Sequence, residues 1–210
     1  THALLSESIN FINAALVVID EQQRFGVNQR MLLRVKGKQA TTPHLLTMTA
    51  TPIPRTVALT VYGNLSVSVL NQMPTGRKRV KTWVVPKEKR KSAYAWIDKQ
   101  LKETRGQAFI VCPLIEESET LQTVKSAIKE YQTLKRLVFP KLRLGLLHGR
   151  MKPQEKTKIL DAFRSGDVDI LVTTPVVEVG IDVPNATIML IEAADRFGLG
   201  QLHQLRGRVG

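Results

Sequence analysis

Short, mostly apolar runs recur along the chain and constrain its fold more than any other feature. They cover residues 14–19, 45–49, 67–70, 82–85, 108–112, 143–147, 170–173 and 187–191. Each has the length of a β-strand and lacks the strict alternation of polar and apolar residues that a half-exposed strand shows. Continuous apolar runs of this length are typical of parallel sheets that are covered on both faces. The sequence therefore predicts an α/β fold.

Two of the stretches between these runs have the pattern of helices. After Ser118, apolar residues recur three or four positions apart, which places them on one helix face. Residues 152–164 follow the same pattern, with Pro153 at the first helical position and Gly166 where the helix is expected to stop. Strands that alternate with helices at this spacing predict parallel strands joined by crossovers of one hand.

Length and composition place the chain among ordinary globular proteins. Its 210 residues suffice for one large domain or two small ones, and 43% hydrophobic with 23% charged residues is a typical balance. The longest apolar run, 14–19, is far shorter than the ~18 residues that a membrane-spanning helix needs. Cys112 is the only cysteine, which excludes a disulfide or a multi-cysteine metal site within the chain.

Basic residues are concentrated in the second part of the chain. The formal net charge is +13, which favours polyanionic partners such as nucleic acid. Eight of the fifteen residues from Arg77 to Lys91 are basic, directly after a turn-forming Pro-Thr-Gly sequence at 74–76. We place a domain boundary at this point, which predicts one domain over residues 1–75 and a second over residues 76–210.

Two carboxylates directly follow the first apolar run. Asp20 and Glu21 would lie at the carboxyl end of a parallel strand, where α/β sheets form their ligand-binding crevice. One carboxylate could hold Mg²⁺, and the second could orient or deprotonate an attacking water. An isolated Asp-Glu pair is more often only a solvated strand end, so both interpretations stay open from the residues alone.

Hydroxyl groups follow two further runs. Thr49 and Thr51 stand beside prolines that prevent a helix, which either leaves their hydroxyls available to a neighbouring loop or makes the segment a rigid connection. Thr173 ends the run 170–173 and Thr174 follows it, and both could contact phosphates near the start of a helix.

Basic groups follow the run 143–147 and lie near the end of the chain. His148, Gly149 and Arg150 precede a predicted helix and could also take phosphates, although a lone histidine is more often a surface or capping residue. Arg206 and Arg208 flank a glycine, where they would either stabilise charge on a phosphoryl group or form a solvated helix end.

The order and spacing of these segments resemble the motor core of superfamily 2 helicases. Residues 20–23, Asp-Glu-Gln-Gln, resemble motif II, residues 49–51 resemble motif III, and residues 204–208 resemble motif VI. Longer stretches resemble the RecG family of bacterial DNA helicases, and they begin at Asp20, Thr49, Cys112, His148 and Gln201. The transcription-repair coupling factor shares the stretches from Thr49 and Gln201, but residues 112–119 and 74–77 are more similar to RecG.

The resemblance implies two RecA-like lobes, each a parallel sheet flanked by helices. Residues 1–75 would be the C-terminal part of the first lobe, which is incomplete, and residues 76–210 most of the second. It implies ATP and Mg²⁺ as cofactors and a nucleotide site divided between the lobes. It also implies branched duplex DNA, such as stalled replication forks and Holliday junctions, as the partner, and a cytoplasmic location at the bacterial nucleoid.

The resemblance further implies a role for each matched residue. Asp20 would hold Mg²⁺, Glu21 would position the hydrolytic water, and Arg208 would act as the arginine finger. Gln23 would connect the γ-phosphate to the hydroxyls of Thr49 and Thr51. The expected nucleotide contacts are Gly180, Asp182, Gln204 and Arg206. The expected contacts with the DNA backbone are Arg55, His148, Gly149, Arg150, Thr173 and Thr174.

The sequence departs from the family pattern at three points. Gln23 stands where the family more often has histidine, and Pro175 follows Thr174 where valine is usual. No Gly-rich phosphate loop ending in Gly-Lys-Ser or Gly-Lys-Thr is present in these residues, so they are not expected to hydrolyse ATP alone. That loop and a fork-binding wedge domain are expected elsewhere in the same polypeptide. The alternatives are a transcription-coupled translocase and a basic nucleic-acid-binding module without activity.

Overall fold

The computed structural model describes residues 14–22, 43–49, 66–72, 79–113, 121–175 and 183–210, together with positions 6, 9, 11, 25, 26 and 29. The Cα positions group into two compact units, Thr1–Leu70 and Asn71–Gly210. The predicted boundary between residues 75 and 76 falls outside the described residues and stays a prediction.

The first unit contains two parallel strands. β1 (Leu16–Ile19) pairs with β2 (His44–Thr47), which confirms two of the predicted strands and their direction. The expected burial on both faces is wrong for this pair, because Leu16 and Val18 expose 57% and 51% of their surface while Ile19 is buried. An apolar run cannot tell which faces other segments will cover, so the pattern overestimates the burial of these strands.

The second unit is built on a four-stranded parallel sheet with the strand order β4-β5-β3-β6. The strands are β3 (Gln107–Val111), β4 (Leu144–Leu147), β5 (Ile170–Thr173) and β6 (Ala186–Ile191). Every pairing is parallel, which confirms the α/β prediction and places four predicted strands to within a residue of their expected bounds. β3 and β5 lie inside the sheet and are buried along their whole length.

Helices cover both faces of this sheet. They are α1 (Arg90–Thr104), α2 (Leu121–Thr133), α3 (Pro153–Arg164) and α4 (Leu199–Arg206), and α2 continues into a π-helical turn over Leu134–Val138. On one face, Ile97 and Leu101 belong to a cluster with Ile110. On the other face, the rings of Phe163 and Phe109 meet edge to face with centroids 5.0 Å apart. None of the helices in the described residues is both long and apolar enough to cross a membrane.

Gly166 ends α3 as the sequence predicts. Its φ of +84° is left-handed, a conformation that glycine adopts without steric cost. The Gly166 N–H donates to the Phe163 carbonyl at 3.3 Å, and the Asp167 N–H donates to the Ala162 carbonyl at 2.9 Å. These two bonds form a Schellman motif, which satisfies carbonyls that the end of a helix leaves without partners.

Two of the predicted strands are wrong. Residues 66–72 and 79–86 have no regular secondary structure, although they contain the apolar runs 67–70 and 82–85. Val84 is 96% exposed, and Trp83 contacts Trp96 edge to face with ring centroids 6.3 Å apart. A strand forms only where a neighbouring edge can bond its backbone, and the run itself does not encode that neighbour.

An ion pair ties β4 to β5 at their amino ends. The Arg143 guanidinium donates to both carboxylate oxygens of Asp169, from Nη2 at 2.6 Å and from Nε at 3.1 Å, and the Arg143 backbone N–H donates at 2.7 Å. Partial burial alone would raise the pKa of Asp169, but these hydrogen bonds and the charge of Arg143 hold that pKa below its ordinary value. The folded state therefore favours the ionised carboxylate.

The substitution Asp169→Asn should lower the free energy of unfolding by about 1 kcal/mol at neutral pH, because the pair is bidentate but its guanidinium is screened by solvent. A carboxyl whose pKa is lowered by folding stabilises the protein above the unfolded pKa of about 3.9 and loses that contribution as the pH falls through the folded pKa. Urea denaturation from pH 7 down to about pH 3 should therefore show the difference between wild type and variant shrinking towards zero.

Asp161→Asn is the matched control for this prediction. Asp161 contacts Arg164 only at 3.4 Å on the exposed side of α3, so its loss should change stability little at either pH. An Asp169→Asn effect of equal size at both ends of the pH range would contradict the assignment.

Candidate functional site

The carboxyl ends of β1 and β2 bring two predicted segments together. Asp20 directly follows β1, and Thr49 lies two residues after β2. Backbone hydrogen bonds join the two loops, because the Met48 N–H donates to the Ile19 carbonyl at 2.8 Å and the Gln22 N–H donates to the Met48 carbonyl at 3.1 Å. The Asp-Glu segment and the threonine segment therefore share one edge of the sheet.

Glu21 has an unusual backbone conformation. Its φ is +50°, a left-handed value that costs a non-glycine residue roughly 1–2 kcal/mol. The Glu21 N–H donates to Oδ1 of Asp20 at 2.8 Å, which holds the two residues in a tight turn. Strained backbone persists only where its surroundings hold it, and such positions cluster at functional sites. The turn leaves Asp20 exposed and Glu21 half-buried at the edge of the sheet.

The donor set at this edge suits a hard divalent cation. Asp20 and Glu21 supply carboxylate oxygens, which are the ligands that Mg²⁺ prefers. Within the residues that the structure describes, no group of three or more His, Cys, Asp or Glu side chains could hold a metal ion. The two carboxylates therefore fit Mg²⁺ that is bound through one or two protein ligands and otherwise through water and phosphate oxygens.

The loops after β3, β4 and β5 meet at one edge of the second sheet. The Cys112 N–H donates to the Thr173 carbonyl at 2.7 Å, and the Thr174 N–H donates to the Leu147 carbonyl at 3.3 Å. Thr173 and Thr174 are 0% exposed, and the Thr173 hydroxyl donates to the Thr174 carbonyl at 2.7 Å. Their observed hydrogen bonds thus hold the strand ends in place, and their contact with a phosphate stays a prediction.

The basic turn after β4 reaches the surface at the same edge. His148 and Gly149 are half-buried and Arg150 is exposed. The Met151 N–H donates to the His148 carbonyl at 3.2 Å, and the Lys156 ammonium on the first turns of α3 donates to the Gly149 carbonyl. The turn therefore holds Arg150 beside the beginning of α3, where a helix favours anionic groups.

α4 carries the last predicted segment. Leu205 is fully buried and belongs to a cluster with Val111 at the end of β3. Gln204 and Arg208 are half-buried, whereas Arg206 is exposed, with its Nη2 lying 3.3 Å from Nδ1 of His203. The buried leucine fixes the helix on the sheet, and the polar residues around it differ in their exposure to solvent.

The remaining predicted site residues lie outside the described residues. They are Gln23, Thr51, Arg55, Gly180 and Asp182.

A polar cluster that sequence analysis did not single out lies at the carboxyl end of β6. Oε1 of Glu192 accepts a hydrogen bond from the Tyr94 hydroxyl at 2.5 Å, and its Oε2 lies 3.1 Å from Nη2 of Arg90. The same guanidinium pairs with Glu130 at 2.8 Å. A signal for Glu192 was available, because it directly follows an apolar run as Asp20 does.

The surroundings of this cluster shift three pKa values. Burial, and then the hydrogen bond to Glu192, raises the pKa of Tyr94. Partial burial acts against the charge of Arg90, but the negative charges of Glu192 and Glu130 raise its pKa above the ordinary value. Burial and the same two carboxylates raise the pKa of the Cys112 thiol to about 12. At neutral pH the tyrosine and the cysteine are therefore neutral and the arginine is charged.

Comparisons of the sequence with known proteins agree with the motif order. The family described as helicase conserved C-terminal domain matches residues 89–210. Proteins named ATP-dependent DNA helicase RecG are similar over 100% of this chain, with 53% identity in Thermotoga maritima and 51% in Bacillus subtilis. The chain covers 26% and 30% of these two relatives. The predicted resemblance to the RecG family is thereby confirmed.

Comparisons of the structure with solved structures agree with the fold. A structure of RecG bound to a three-way DNA junction is similar, with a TM-score of 0.69 and 46% sequence identity. The match covers 100% of this chain and 26% of the RecG chain. Dbp5 of S. cerevisiae shares the fold, with a TM-score of 0.62 and 20% identity. The match covers 96% of this chain and 51% of Dbp5. The predicted RecA-like class, with parallel sheets flanked by helices, is therefore confirmed.

Cys112 should be nearly inert towards alkylation in the folded protein. A pKa of about 12, against an ordinary value near 9, lowers its thiolate fraction roughly 1000-fold. Iodoacetamide at about pH 8 should therefore modify the native chain at least that much more slowly than the urea-denatured chain, as followed by mass spectrometry. Cys112→Ala is the unlabelled control, and equal rates in the two states would contradict the burial of the thiol.

Proposed function

Because the chain belongs to the family of the helicase conserved C-terminal domain, we propose that it forms part of the motor of an ATP-dependent DNA helicase. The observation that carries this proposal is the identity of about half of all residues, over the whole chain, to proteins named ATP-dependent DNA helicase RecG. The chain spans 26% to 30% of those relatives, so the activity is assigned to a complete protein. The phosphate loop and the wedge domain are proposed to lie elsewhere in that polypeptide, and these residues alone are not expected to hydrolyse ATP.

The proposed chemistry at the first edge is water activation. Asp20 would hold the Mg²⁺ of the nucleotide, and bound Mg²⁺ neutralises charge that develops on the phosphates. Glu21 would orient the attacking water and take its proton. Gln23 would connect the γ-phosphate to the hydroxyls of Thr49 and Thr51. The support is the shared edge, where backbone hydrogen bonds hold the Asp-Glu turn against the loop that carries Thr49.

The proposed chemistry of α4 and its end is charge stabilisation. Arg208 would act on the transferring phosphoryl group as an arginine finger, a role worth about 10³–10⁵ in rate in known cases. Gln204, Arg206, Gly180 and Asp182 are proposed to contact the nucleotide. The support is the attachment of α4 to the sheet through the buried Leu205, which restricts the position of Arg208.

The proposed substrate is branched duplex DNA, held through its backbone. The similar RecG structure is titled as bound to a three-way DNA junction, and a net charge of +13 suits a polyanion. A motor that moves along DNA must tolerate every sequence, so phosphates and not bases are the expected contacts. The proposed contacts are Arg55, His148, Gly149, Arg150, Thr173 and Thr174. Such a protein acts in repair and recombination, and we place it in the bacterial cytoplasm, at the nucleoid.

Glu21→Gln, made in the protein expressed from its complete gene, should lower kcat for ATP hydrolysis by about 10²–10⁴-fold and leave ATP binding intact. The amide keeps the shape of the side chain but cannot take a proton. Hydrolysis is measured with and without a synthetic forked duplex, and binding with a fluorescent ATP analogue.

Glu88→Gln is the control for this experiment, because Glu88 lies exposed in a short 3-10 turn before α1. It should hydrolyse ATP like the wild type. Hydrolysis that is unchanged in Glu21→Gln would overturn the role of this carboxylate. Equal ATP hydrolysis with and without the fork would favour a duplex translocase. Absence of hydrolysis by the wild type would favour a passive nucleic-acid-binding protein.

Arg150→Ala should weaken binding to forked duplex DNA and lower the slope of log Kd against log salt concentration by about 0.9, the value for one lost phosphate contact. Fluorescence anisotropy over a series of KCl concentrations measures both. Arg164→Ala, which removes an exposed arginine at the other end of α3, should leave the slope unchanged. Equal effects of the two substitutions would show that Arg150 contributes only general charge.

A further inference from the structure

We propose that Arg90, Tyr94, Glu130 and Glu192 are positioning residues that fix the direction of the segment from 193 to 208. We call the four residues the β6 clasp and the segment the arginine segment, since it ends with the two arginines of motif VI. The effect of the clasp on ATP hydrolysis rests on the proposed function, whereas the positioning itself rests on the geometry.

The clasp joins three elements at the point where β6 ends. Glu192 is the first residue after the strand, and its side chain is only 18% exposed. One carboxylate oxygen accepts from the Tyr94 hydroxyl at 2.5 Å and the other lies 3.1 Å from the guanidinium of Arg90, so α1 holds both oxygens. Arg90 also pairs with Glu130 of α2 at 2.8 Å and donates from Nε to the Tyr94 hydroxyl at 2.9 Å. The direction of the Glu192 side chain is thus fixed by α1, and Glu130 of α2 in turn holds Arg90.

The fixed direction of Glu192 has a consequence for the next residue, which has an unusual backbone conformation. Ala193 has φ +48° and ψ +55°, a left-handed conformation that alanine rarely adopts. This turn redirects the chain from β6 into a 3-10 turn over Ala194–Arg196 and then into α4. Since an alanine has no preference for such a turn, the conformation has to be held by its neighbours, and the clasp holds the residue next to it.

The arginine segment closes back on the strand to which Glu192 is bound. The Glu192 N–H donates to the carbonyl of Val111, the last residue of β3, at 2.9 Å. Leu205 of α4 and Phe197 belong to the same buried cluster as the Val111 side chain. The segment is therefore a loop with both ends anchored at one point, and Arg208 follows three residues after the second anchor. The position of Arg208 therefore depends on both anchors, and the clasp supplies the first of them.

The charges of the clasp make it sensitive to single substitutions. Glu192 and Glu130 share one guanidinium, so the loss of Arg90 would leave two carboxylates of like charge facing each other. The loss of the Glu192 carboxylate would leave the 8% exposed Tyr94 without the acceptor of its hydroxyl at the end of β6. Each substitution therefore removes the same restraint on Ala193.

The test uses the protein expressed from its complete gene, with Tyr94→Phe, Glu192→Ala and Glu192→Gln. The expected result is a fall in DNA-stimulated kcat of about tenfold to a hundredfold for Glu192→Ala, with an unchanged KM for ATP, because misplacement of a group that acts in the transition state lowers kcat. Glu192→Gln still accepts from Tyr94 and should restore part of that loss. Lys102→Gln, which breaks the ion pair with Asp98 on α1, is the matched control and should not change kcat.

Coupling to Arg208 separates positioning from a general loss of stability. In an Arg208→Ala background the clasp substitutions should have no further effect on kcat, since the group that they position is gone. A full additional loss in that background would overturn the proposal. So would a lower Tm with an unchanged kcat below the unfolding transition.

Hydrogen exchange tests the positioning without relying on ATP hydrolysis. Glu192→Ala and Tyr94→Phe should speed amide exchange over 193–205 and leave α3 unchanged, whereas Lys102→Gln should leave both unchanged. Unchanged exchange over 193–205 overturns the proposal whether or not ATP is hydrolysed. Faster exchange in a protein whose wild type does not hydrolyse ATP upholds the clasp and rejects the proposed function.

Discussion

Parallel strand pairing is the constraint on which both candidate sites depend. Because every described strand pair runs in one direction, the residues that follow the strands of a sheet gather at a single edge. Met48 bonds back to Ile19 in the first unit, and Cys112 bonds to Thr173 in the second. An antiparallel partner would have moved one segment of each pair to the opposite edge, about 13 Å away for a strand of four residues.

The apolar runs predict the strands well because a strand buried inside a parallel sheet needs apolar residues on both of its faces, as in β3. They fail at 67–70 and 82–85, which are just as apolar but are exposed, because strand formation also needs a partner edge. The sequence places Asp20 and Thr49 at the ends of two apolar runs, and the parallel pairing of β1 with β2 brings their loops to one edge. The sequence does not predict that Thr173 is completely buried, since that depends on the strands on either side of β5.

The two edges of the second sheet use charge in different ways. At the amino edge, Arg143 and Asp169 directly precede the neighbouring strands β4 and β5. The Asp169 carboxylate also accepts from the Arg143 backbone N–H, so the pair mainly joins these two strands. At the carboxyl edge, Glu192 is held by Tyr94, which lies 98 positions earlier in the sequence, and by Arg90, which also binds a second helix. A contact between elements so distant in sequence restrains the direction of a loop. Among the described residues of this unit, the loops that carry predicted site residues lie at this edge.

A common local pattern has different consequences in the two units. β1 is followed by Asp20 and the left-handed Glu21, and β6 is followed by Glu192 and the left-handed Ala193. In the first case the acid bonds the backbone N–H of the next residue and stays exposed, so its carboxylate can meet a solvated cation. In the second case Tyr94 and Arg90 of α1 bind the carboxylate. An acid after an apolar run is visible in the sequence, but whether it meets a ligand or fixes a loop depends on partners that only the fold brings near.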